Sequence, residues 1–335
     1  MSPNTEYFKM CFKPLTMLRP LYLGGIHPVE SNTMAATLIY PTIYTATGAA
    51  ITLLSLLTGE NYNEFIGAIN DDGFKVYGVY AVEDLRNETI LLPYSAAAPP
   101  GSGPKPKVES WASGIRLHPV LEPAKRRPGI TYFARLRRVK KGWKIIEIIT
   151  RKYVTEQRIG IAIEHEKKRA AGDRALYTYT AFHGLDRGRS LETLFYCIEV
   201  ADSRGLLKDL KRGLPIHGVT GFGGRSSAAE YFLFHIKEEP YFAVSVEEEG
   251  EYRLAASHVA VKVDGEGLVT VRGEVAELAC GSVGMLSGWD YAENVQKRPI
   301  AAMAPGSLYH VESSGEWDPP DKWYYRLLRS SVPLR

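Results

Sequence analysis

The chain has 335 residues, of which 45% are hydrophobic and 24% are charged, a composition ordinary for a soluble globular protein. Its length is enough for a large core and predicts two domains, whereas the net charge of +3 by itself favours no class of partner. Three scattered cysteines, Cys11, Cys197 and Cys280, match neither a disulfide framework nor a metal-binding spacing.

The N-terminal part predicts a strand followed by a helix. Residues 7–17 alternate as in a first strand, and residues 31–59 contain no charged side chain. Pro41 and Gly48 weaken a membrane-spanning interpretation of that stretch, and no basic flank marks an inside end. We therefore expect a buried helix that begins near Thr42, a plausible N-cap. Its packing face would comprise Ala46, Ala49, Ala50, Leu53, Leu54 and Leu57.

A strand at 74–82 precedes a long segment, about 83–157, that resembles an insertion and carries the basic cluster. Between residues 125 and 152 there are eleven Lys or Arg and one acid, so this segment is +10 and the rest of the chain is 3 − 10 = −7. Residues 131–139 and 143–150 flank Lys140-Lys141-Gly142 and predict a basic hairpin.

Further elements follow the insertion. Strands are predicted at 158–164 and 175–182, with a charged connection at 165–174 between them. A strand at 191–200 leads to residues 204–212, whose leucines fall at helical spacing. Residues 228–237 predict a strand that is apolar on both faces. Beyond an acidic run at 247–249, shorter strands are predicted at 259–263 and 269–271.

A glycine-rich stretch lies between that helix and that strand. Four glycines fall within residues 218–224, and they allow positive φ and close approach of another molecule. Arg225, Ser226 and Ser227 supply a guanidinium group and hydroxyls that suit phosphate oxygens. No lysine follows the glycines, so the stretch is not a nucleotide-triphosphate P-loop. It is equally compatible with a plain glycine-rich turn.

The order of elements predicts an α+β fold with two ferredoxin-like (RRM-like) domains. The first would span residues 1–238, with the basic insertion at about 83–157 and the glycine-rich loop after its second helix. The second, smaller α+β domain would span residues 239–335.

Catalytic signals are weak. His183 and His217 have no partner of fitting type at a recognisable spacing, and a packed histidine at a loop edge explains each of them. Glu164-His165-Glu166 is more typical of a solvated turn than of a metal site. We therefore expect neither an enzyme nor a cofactor or metal.

Nucleic-acid signals are stronger, because the basic hairpin also contains Tyr132, Phe133 and Trp143, and aromatic side chains beside cations suit single-stranded RNA. A solvated charged face explains any one basic patch, but three such features occur together. The predicted RNA-binding residues are Gly221, Phe222, Gly223, Gly224, Arg225 and Ser226 in the loop, Arg135, Arg137, Arg138, Lys140, Lys141 and Lys144 in the hairpin, and Lys167, Lys168 and Arg169 in the connection.

Several segments resemble one family. Residues 158–180 look like the central signature of the third subunit of the CRISPR type III-B Cmr effector complex. Residues 40–49 resemble its first helix, and 223–225 resemble its glycine-rich loop. Gly-Trp-Asp at 288–290 and Pro-Gly-Ser-Leu-Tyr at 305–309 resemble its C-terminal segment. The sequence departs from the family where Arg225-Ser226-Ser227 follow the glycines, since the family often has Gly-Gly-Glu-Arg-Arg.

The resemblance implies a non-catalytic repeat-associated (RAMP) protein of antiviral defence with two ferredoxin-like domains. It would grip the five-prime handle of the crRNA and contact the large polymerase-like subunit and the first backbone subunit. One alternative is the equivalent subunit of a Csm-type complex. From another class, the alternative is a metal-independent RAMP endoribonuclease that processes crRNA, with His217 or His183 catalytic.

The expected compartment is the cytoplasm, with no membrane contact. The cysteine pattern indicates a reducing environment, and the N-terminus lacks a signal segment. Only two glutamines occur, which is a weak indication of a thermophilic source.

Overall fold

The structure is a computed structural model. It describes residues 5–16, 40–86, 89–96, 130–140, 142–161, 163–164, 169–170, 176–186, 191–213, 215–222, 227–237, 242, 252–263, 268–271, 274–290, 295–314 and 322–334.

Strands dominate the described residues. In chain order they are β1 (Glu6–Pro14), β2 (Phe74–Val82), β3 (Thr89–Pro93), β4 (Ile130–Val139), β5 (Gly142–Ile161), β6 (Ile163–Glu164), β7 (Arg169–Ala170), β8 (Leu176–Asp186), β9 (Leu191–Glu192), β10 (Phe195–Asp202), β11 (Ile216–Gly221), β12 (Ala228–Ile236), β13 (Tyr252–Ala255), β14 (Val259–Ala260), β15 (Lys262–Val263), β16 (Leu268–Val271), β17 (Glu274–Cys280), β18 (Val283–Asp290), β19 (Val295–Met303), β20 (Leu308–Ser314) and β21 (Ser331–Pro333). The helices are α1 (Ile43–Thr58), α2 (Tyr62–Asn70) and α3 (Trp323–Arg326), and a 3₁₀ turn spans Leu210–Gly213.

The predicted first helix is confirmed as α1. The Thr42 hydroxyl accepts a hydrogen bond from the backbone N–H of Thr45 at 3.2 Å, which caps the N-terminus. Gly59 ends the helix in a left-handed conformation with φ of 77°. The predicted small and leucine residues form its packing face against the sheet. Within the described part of the chain, no helix is both long enough and apolar enough to span a membrane.

Ten strands form one antiparallel sheet in the order β11-β12-β1-β10-β2-β3-β4-β5-β8-β9. On one face, apolar side chains such as Phe8, Met10 and Val200 pack against α1 and α2. On the opposite face, Tyr80, Leu136 and other apolar side chains of β2 to β5 pack beneath strands of the C-terminal part. The sheet therefore separates two hydrophobic cores.

The C-terminal strands form two smaller sheets. One has six strands in the order β15-β16-β17-β20-β13-β21, and the other has three in the order β14-β19-β18. A further two-stranded sheet pairs β6 with β7. Trp143 of β5 bridges to Leu334 beside β21, so the C-terminal residues are attached to the basic hairpin.

The prediction of an α+β fold with two ferredoxin-like domains is wrong. The described residues are mostly strands in large antiparallel sheets, with only three α-helices, and the C-terminal part contributes a single helical turn of four residues. The segment predicted as an insertion continues the main sheet through β3, β4 and β5. The domain boundary near residue 238 stays a prediction.

The predicted helix at 204–212 is also wrong, and buried Asp202 explains the difference. Its carboxylate accepts hydrogen bonds from the backbone N–H groups of Arg204, Gly205 and Leu207 at 2.8–3.0 Å. Gly205 has φ of 78°, which is left-handed and interrupts a helix. The chain forms turns and then the short 3₁₀ turn, while Leu207 still fills the core.

The prediction that the cysteines form no disulfide is wrong for two of them. Cys11 of β1 lies directly opposite Cys197 of β10 in the antiparallel register, and the two are disulfide-bonded across a sequence separation of 186 residues. Both are fully buried, as is Cys280, which is not part of a disulfide. The cysteine pattern therefore no longer indicates a reducing compartment, although intracellular disulfides do occur in hyperthermophiles.

His258 gives the C-terminal core an expected pH dependence. The residue is 3% exposed, and burial lowers the pKa of its imidazole to about 4. The imidazole of the unfolded chain binds a proton near pH 6.5, whereas that of the folded chain stays neutral until the pH approaches 4. The contribution of this group to the free energy of unfolding is therefore retained above pH 6.5 and is lost as the pH falls towards 4. We expect this group to lower the free energy of unfolding by about 2 kcal/mol between pH 8 and pH 5.

Denaturant titrations at the two pH values check this expectation, with His258→Met as the control. The variant should lose less stability between pH 8 and pH 5 than the unsubstituted chain does. Equal losses in both chains would contradict the assignment.

Candidate nucleic-acid interface

The glycine-rich stretch is the tip of a β-hairpin at the edge of the main sheet. Strands β11 and β12 pair antiparallel, and the backbone N–H of Phe222 donates to the carbonyl of Ser227 at 3.0 Å. The end of β1 supports the hairpin, because the hydroxyl of Thr16 accepts from the N–H of Ala228 at 2.9 Å. Gly223, Gly224, Arg225 and Ser226 lie outside the described residues.

The two described glycines of the stretch that lie in β11 have ordinary backbone conformations, since neither has a positive φ. At Gly218, an added Cβ would lie 2.9 Å from the ring of Tyr231, so this glycine accommodates a neighbouring side chain of its own sheet. At Gly221, the nearest atom to an added Cβ is 3.9 Å away. Of these two positions, only Gly218 lacks room for a side chain, and the reason is packing within the protein's own sheet.

Phe222, predicted to contact RNA, lies in the core. Its ring is 1% exposed and stacks on Phe12 with centroids 4.8 Å apart and planes 12° apart. The ring of Tyr196 also lies beside that of Phe222, with centroids 6.4 Å apart. The side chain thus anchors the hairpin tip to the sheet, and contact with RNA would require it to leave the core.

The basic hairpin is confirmed as β4 and β5, but one of its arginines is held by acids. Arg135 forms ion pairs of 2.7 Å with both Glu83 and Glu147, and Arg151 lies 3.4 Å from Glu83. These side chains are only partly exposed, apart from the more exposed Glu147. Arg135 and Arg151 therefore stabilise the hairpin as part of a local ion-pair network.

Two cations of the hairpin face each other across the strands. Arg137 pairs directly with Lys144 in the register, and both side chains are exposed. Directly opposite residues have Cβ atoms about 4.5–5.5 Å apart, and like charges there are destabilising. Lys140 at the turn and Lys152 further along β5 are also exposed, whereas Arg138 is partly buried. The repulsion between these cations lowers the stability of the hairpin. A bound polyanion would neutralise the two charges and remove that repulsion.

The aromatic residues of this hairpin do not accompany its cations on the surface. Trp143 is 2% exposed and lies near-parallel to Phe242 with centroids 6.4 Å apart, and Phe133 is buried in the helix-side core. Tyr132 is partly buried. Neither Trp143 nor Phe133 is placed to stack on RNA in this conformation.

The three predicted regions do not form one cluster, because the loop and the hairpin belong to the main sheet and the connection includes part of the separate two-stranded sheet of β6 and β7. Between β12 and β4 lie β1, β10, β2 and β3, a separation of about 24 Å along the sheet at the usual strand spacing. Lys141 of the hairpin and Lys167 and Lys168 of the connection lie outside the described residues, and Arg169 is described only as part of the backbone of β7. A ligand touching both loop and hairpin would therefore have to be extended.

His217 and His183, the residues of the ribonuclease alternative, lie on different strands. His217 is exposed on β11, and its ring lies near-parallel to that of Phe232 at 6.3 Å. His183 belongs to β8, where its side chain is outside the described set. Among the residues that the structure describes, no three His, Cys, Asp or Glu side chains come together as a metal site.

Comparison with known proteins gives a distant structural likeness. No family model matches the chain, and no curated protein matches it significantly. A chain from a cryo-EM structure of the type III-B Cmr-β bound to cognate target RNA and AMPPnP is 16% identical, with a TM-score of 0.48 over 90% of this chain and 86% of that chain. A chain from the Cmr-β structure with cognate target RNA is 14% identical, with a TM-score of 0.47 over the same shares. Identities this low and TM-scores below 0.5 assign neither a family nor a function.

Proposed function

We propose that this chain is a non-catalytic RNA-binding subunit of a type III-B CRISPR (Cmr) effector complex that grips the five-prime handle of the crRNA. The collinear resemblance of segments spread from residue 40 to residue 309 supports the choice of family. The assignment to the third, handle-binding subunit rests on that resemblance and on the surface chemistry described above.

The directly opposed cations Arg137 and Lys144 are the observation that carries the RNA-binding part of the proposal. Two like charges across a strand pair repel, and an RNA phosphate placed between them would turn repulsion into two attractions. The exposed Lys140 at the turn extends the same charge, whereas Lys152 lies opposite Asp186 and on the other face of the strand pair. This arrangement suits a phosphate backbone better than a compact anion, because the charges extend from the strand pair to the turn.

The proposed partners follow from the same resemblance. They are the crRNA, the large polymerase-like subunit and the first backbone RAMP subunit of the complex. The equivalent subunit of a Csm-type complex is the closest alternative. The ribonuclease alternative needs His217 or His183 near the scissile phosphate, and cleavage of repeat RNA distinguishes it from the proposal.

Purification of the full chain from its native host, followed by sequencing of bound RNA, tests the proposal. We expect small RNAs that share one five-prime end, together with the other subunits of the complex. Repeat RNA added to the purified chain should stay intact with and without a chelator. RNAs with random ends would contradict handle recognition, and metal-independent cleavage at one site would favour the endoribonuclease.

A further inference from the structure

One end of the main sheet carries a row of rings that crosses four strands. Lys13 of β1 places its ammonium 5.3 Å from the ring centroid of Phe195 on β10. Phe195 meets Phe232 of β12 edge to face at 5.8 Å, and Phe232 lies near-parallel to His217 of edge strand β11. These contacts thus form a continuous row from the ammonium of Lys13 to the imidazole of His217.

The row lies on the sheet face opposite α1 and α2. Side chains alternate between the two faces along a strand, and Phe12, Tyr196 and Leu233, each next in sequence to a member of the row, belong to the helix-side core. Val219, two residues beyond His217 on β11, is 65% exposed. His217 is exposed as well, while Phe195, Phe232 and Lys13 are partly buried.

The same face is covered from the next strand onward, because β2 pairs directly with β10. Tyr80, Trp143 and Phe242 form a second aromatic group there, and it is buried beneath the C-terminal strands. Lys9 beside Tyr80 is also buried enough that desolvation lowers the pKa of its ammonium, against the opposing effect of Glu199. Phe195 packs against this covered core, whereas the outer end of the row at His217 is exposed.

We infer that the row formed by Lys13, Phe195, Phe232 and His217 is a stacking platform for unpaired nucleobases of single-stranded RNA. Open sheet faces with aromatic side chains stack two or three bases in known RNA-binding modules. Rings offer a π-face to any base, and an adjacent lysine serves the phosphate that follows. Glu230 lies opposite Lys13 in the register, so the patch has little net charge and stacking, not charge, dominates.

This inference rests on the proposed function and adds a second contact with a different physical basis. The hairpin cations would bind phosphates, with strong salt dependence and no need for bases. The row would bind bases, with weak salt dependence and no contribution to duplex RNA, whose bases are already stacked. It also lies at the base of the β11–β12 hairpin that carries the glycine-rich loop.

The test uses the full chain and two fluorescent probes of equal charge. One is an eight-nucleotide oligoadenylate RNA, and the other is an abasic ribose-phosphate chain of the same length. We expect the unsubstituted chain to bind the oligoadenylate about tenfold more tightly than the abasic chain. Phe232→Leu should remove most of that ratio, whereas Phe232→Tyr, which keeps the ring, should retain it.

His217→Ala supplies a variant that does not touch the core, because the residue is exposed on an edge strand. This variant should lower the ratio of oligoadenylate to abasic-chain affinity by about threefold. Its melting temperature should be unchanged. A ratio that is near one in the unsubstituted chain, or unaffected in folded Phe232→Leu and His217→Ala, would overturn the stacking platform alone. Failure of the unsubstituted chain to bind either probe would overturn the proposed function as well.

Discussion

Phe222→Ala is expected to lower the free energy of unfolding by about 3–5 kcal/mol. The ring is fully buried at the tip of the β11–β12 hairpin and lies against the rings of Phe12 and Tyr196, so its removal leaves a cavity lined by aromatic rings. Because the hairpin tip is anchored there, the loss should also loosen the glycine-rich loop. Denaturant titration of the variant and the unsubstituted chain measures the effect.

Phe222→Leu is the matched control, since it keeps an apolar side chain at the site. It should cost about 1–2 kcal/mol, less than half the alanine effect. RNA affinity should be measured in parallel, under conditions in which each chain is folded. Weakened RNA binding by Phe222→Ala without any loss of stability would instead make Phe222 an RNA contact and contradict the core assignment.

Reversing both opposed cations, Arg137→Glu with Lys144→Glu, is expected to weaken binding of single-stranded RNA roughly fifty- to hundredfold at about 50 mM salt. Each phosphate contact on a single strand contributes about 0.7 to the slope of log affinity against log salt. Loss of two contacts therefore lowers the affinity at about 50 mM salt by nearly two decades, taking about 1 M salt as the reference. The double variant retains a like-charged pair across the strands, which keeps the cross-strand repulsion comparable. The melting temperature should therefore change little.

The matched control is Lys208→Glu with Lys262→Glu, which changes the net charge equally at two exposed lysines outside the hairpin. Its RNA affinity should fall by less than a factor of three. Equal losses in the two double variants would show that overall charge, and not the hairpin, attracts RNA.

Elements with a strong local signal could be predicted from the sequence. The cap at Thr42 and the spacing of alanines and leucines gave α1, and the turn before residue 74 gave β2. The Lys-Lys-Gly turn gave the β4–β5 hairpin, where Gly142 has φ of 133°. In each case the decisive residues lie within a few positions of the element that they specify.

Elements that depend on residues distant in the sequence could not be predicted from it. Leucines at helical spacing in 204–212 fit a packed turn as well as a helix, and the deciding group is the buried carboxylate of Asp202. The Cys11–Cys197 pairing depends on β1 and β10 being neighbours, which no local pattern specifies. Without the second helix, the ferredoxin-like prediction lost its basis.

The candidate site was predicted in part. The exposure of Arg137, Lys140 and Lys144 agrees with a charged hairpin, but the ion pair between Arg135 and Glu83 spans 52 positions and has no local signature. Trp143 and Lys144 are adjacent on a strand and so point to opposite faces, a consequence of strand geometry that argues against a shared surface. The row from Lys13 to His217 draws on four strands, so its members could be found only from the sheet order.

The affinity of the full chain for single-stranded RNA as a function of salt concentration tests the central claim most directly. If the exposed cations on one face and at the turn of the hairpin, Arg137, Lys140 and Lys144, each contact one phosphate, the slope of log affinity against log salt should be about −2.1. The magnitude of the slope should fall to about 0.7 in the Arg137→Glu, Lys144→Glu chain. A slope near zero, or one that is the same in both chains, would contradict RNA binding through this hairpin.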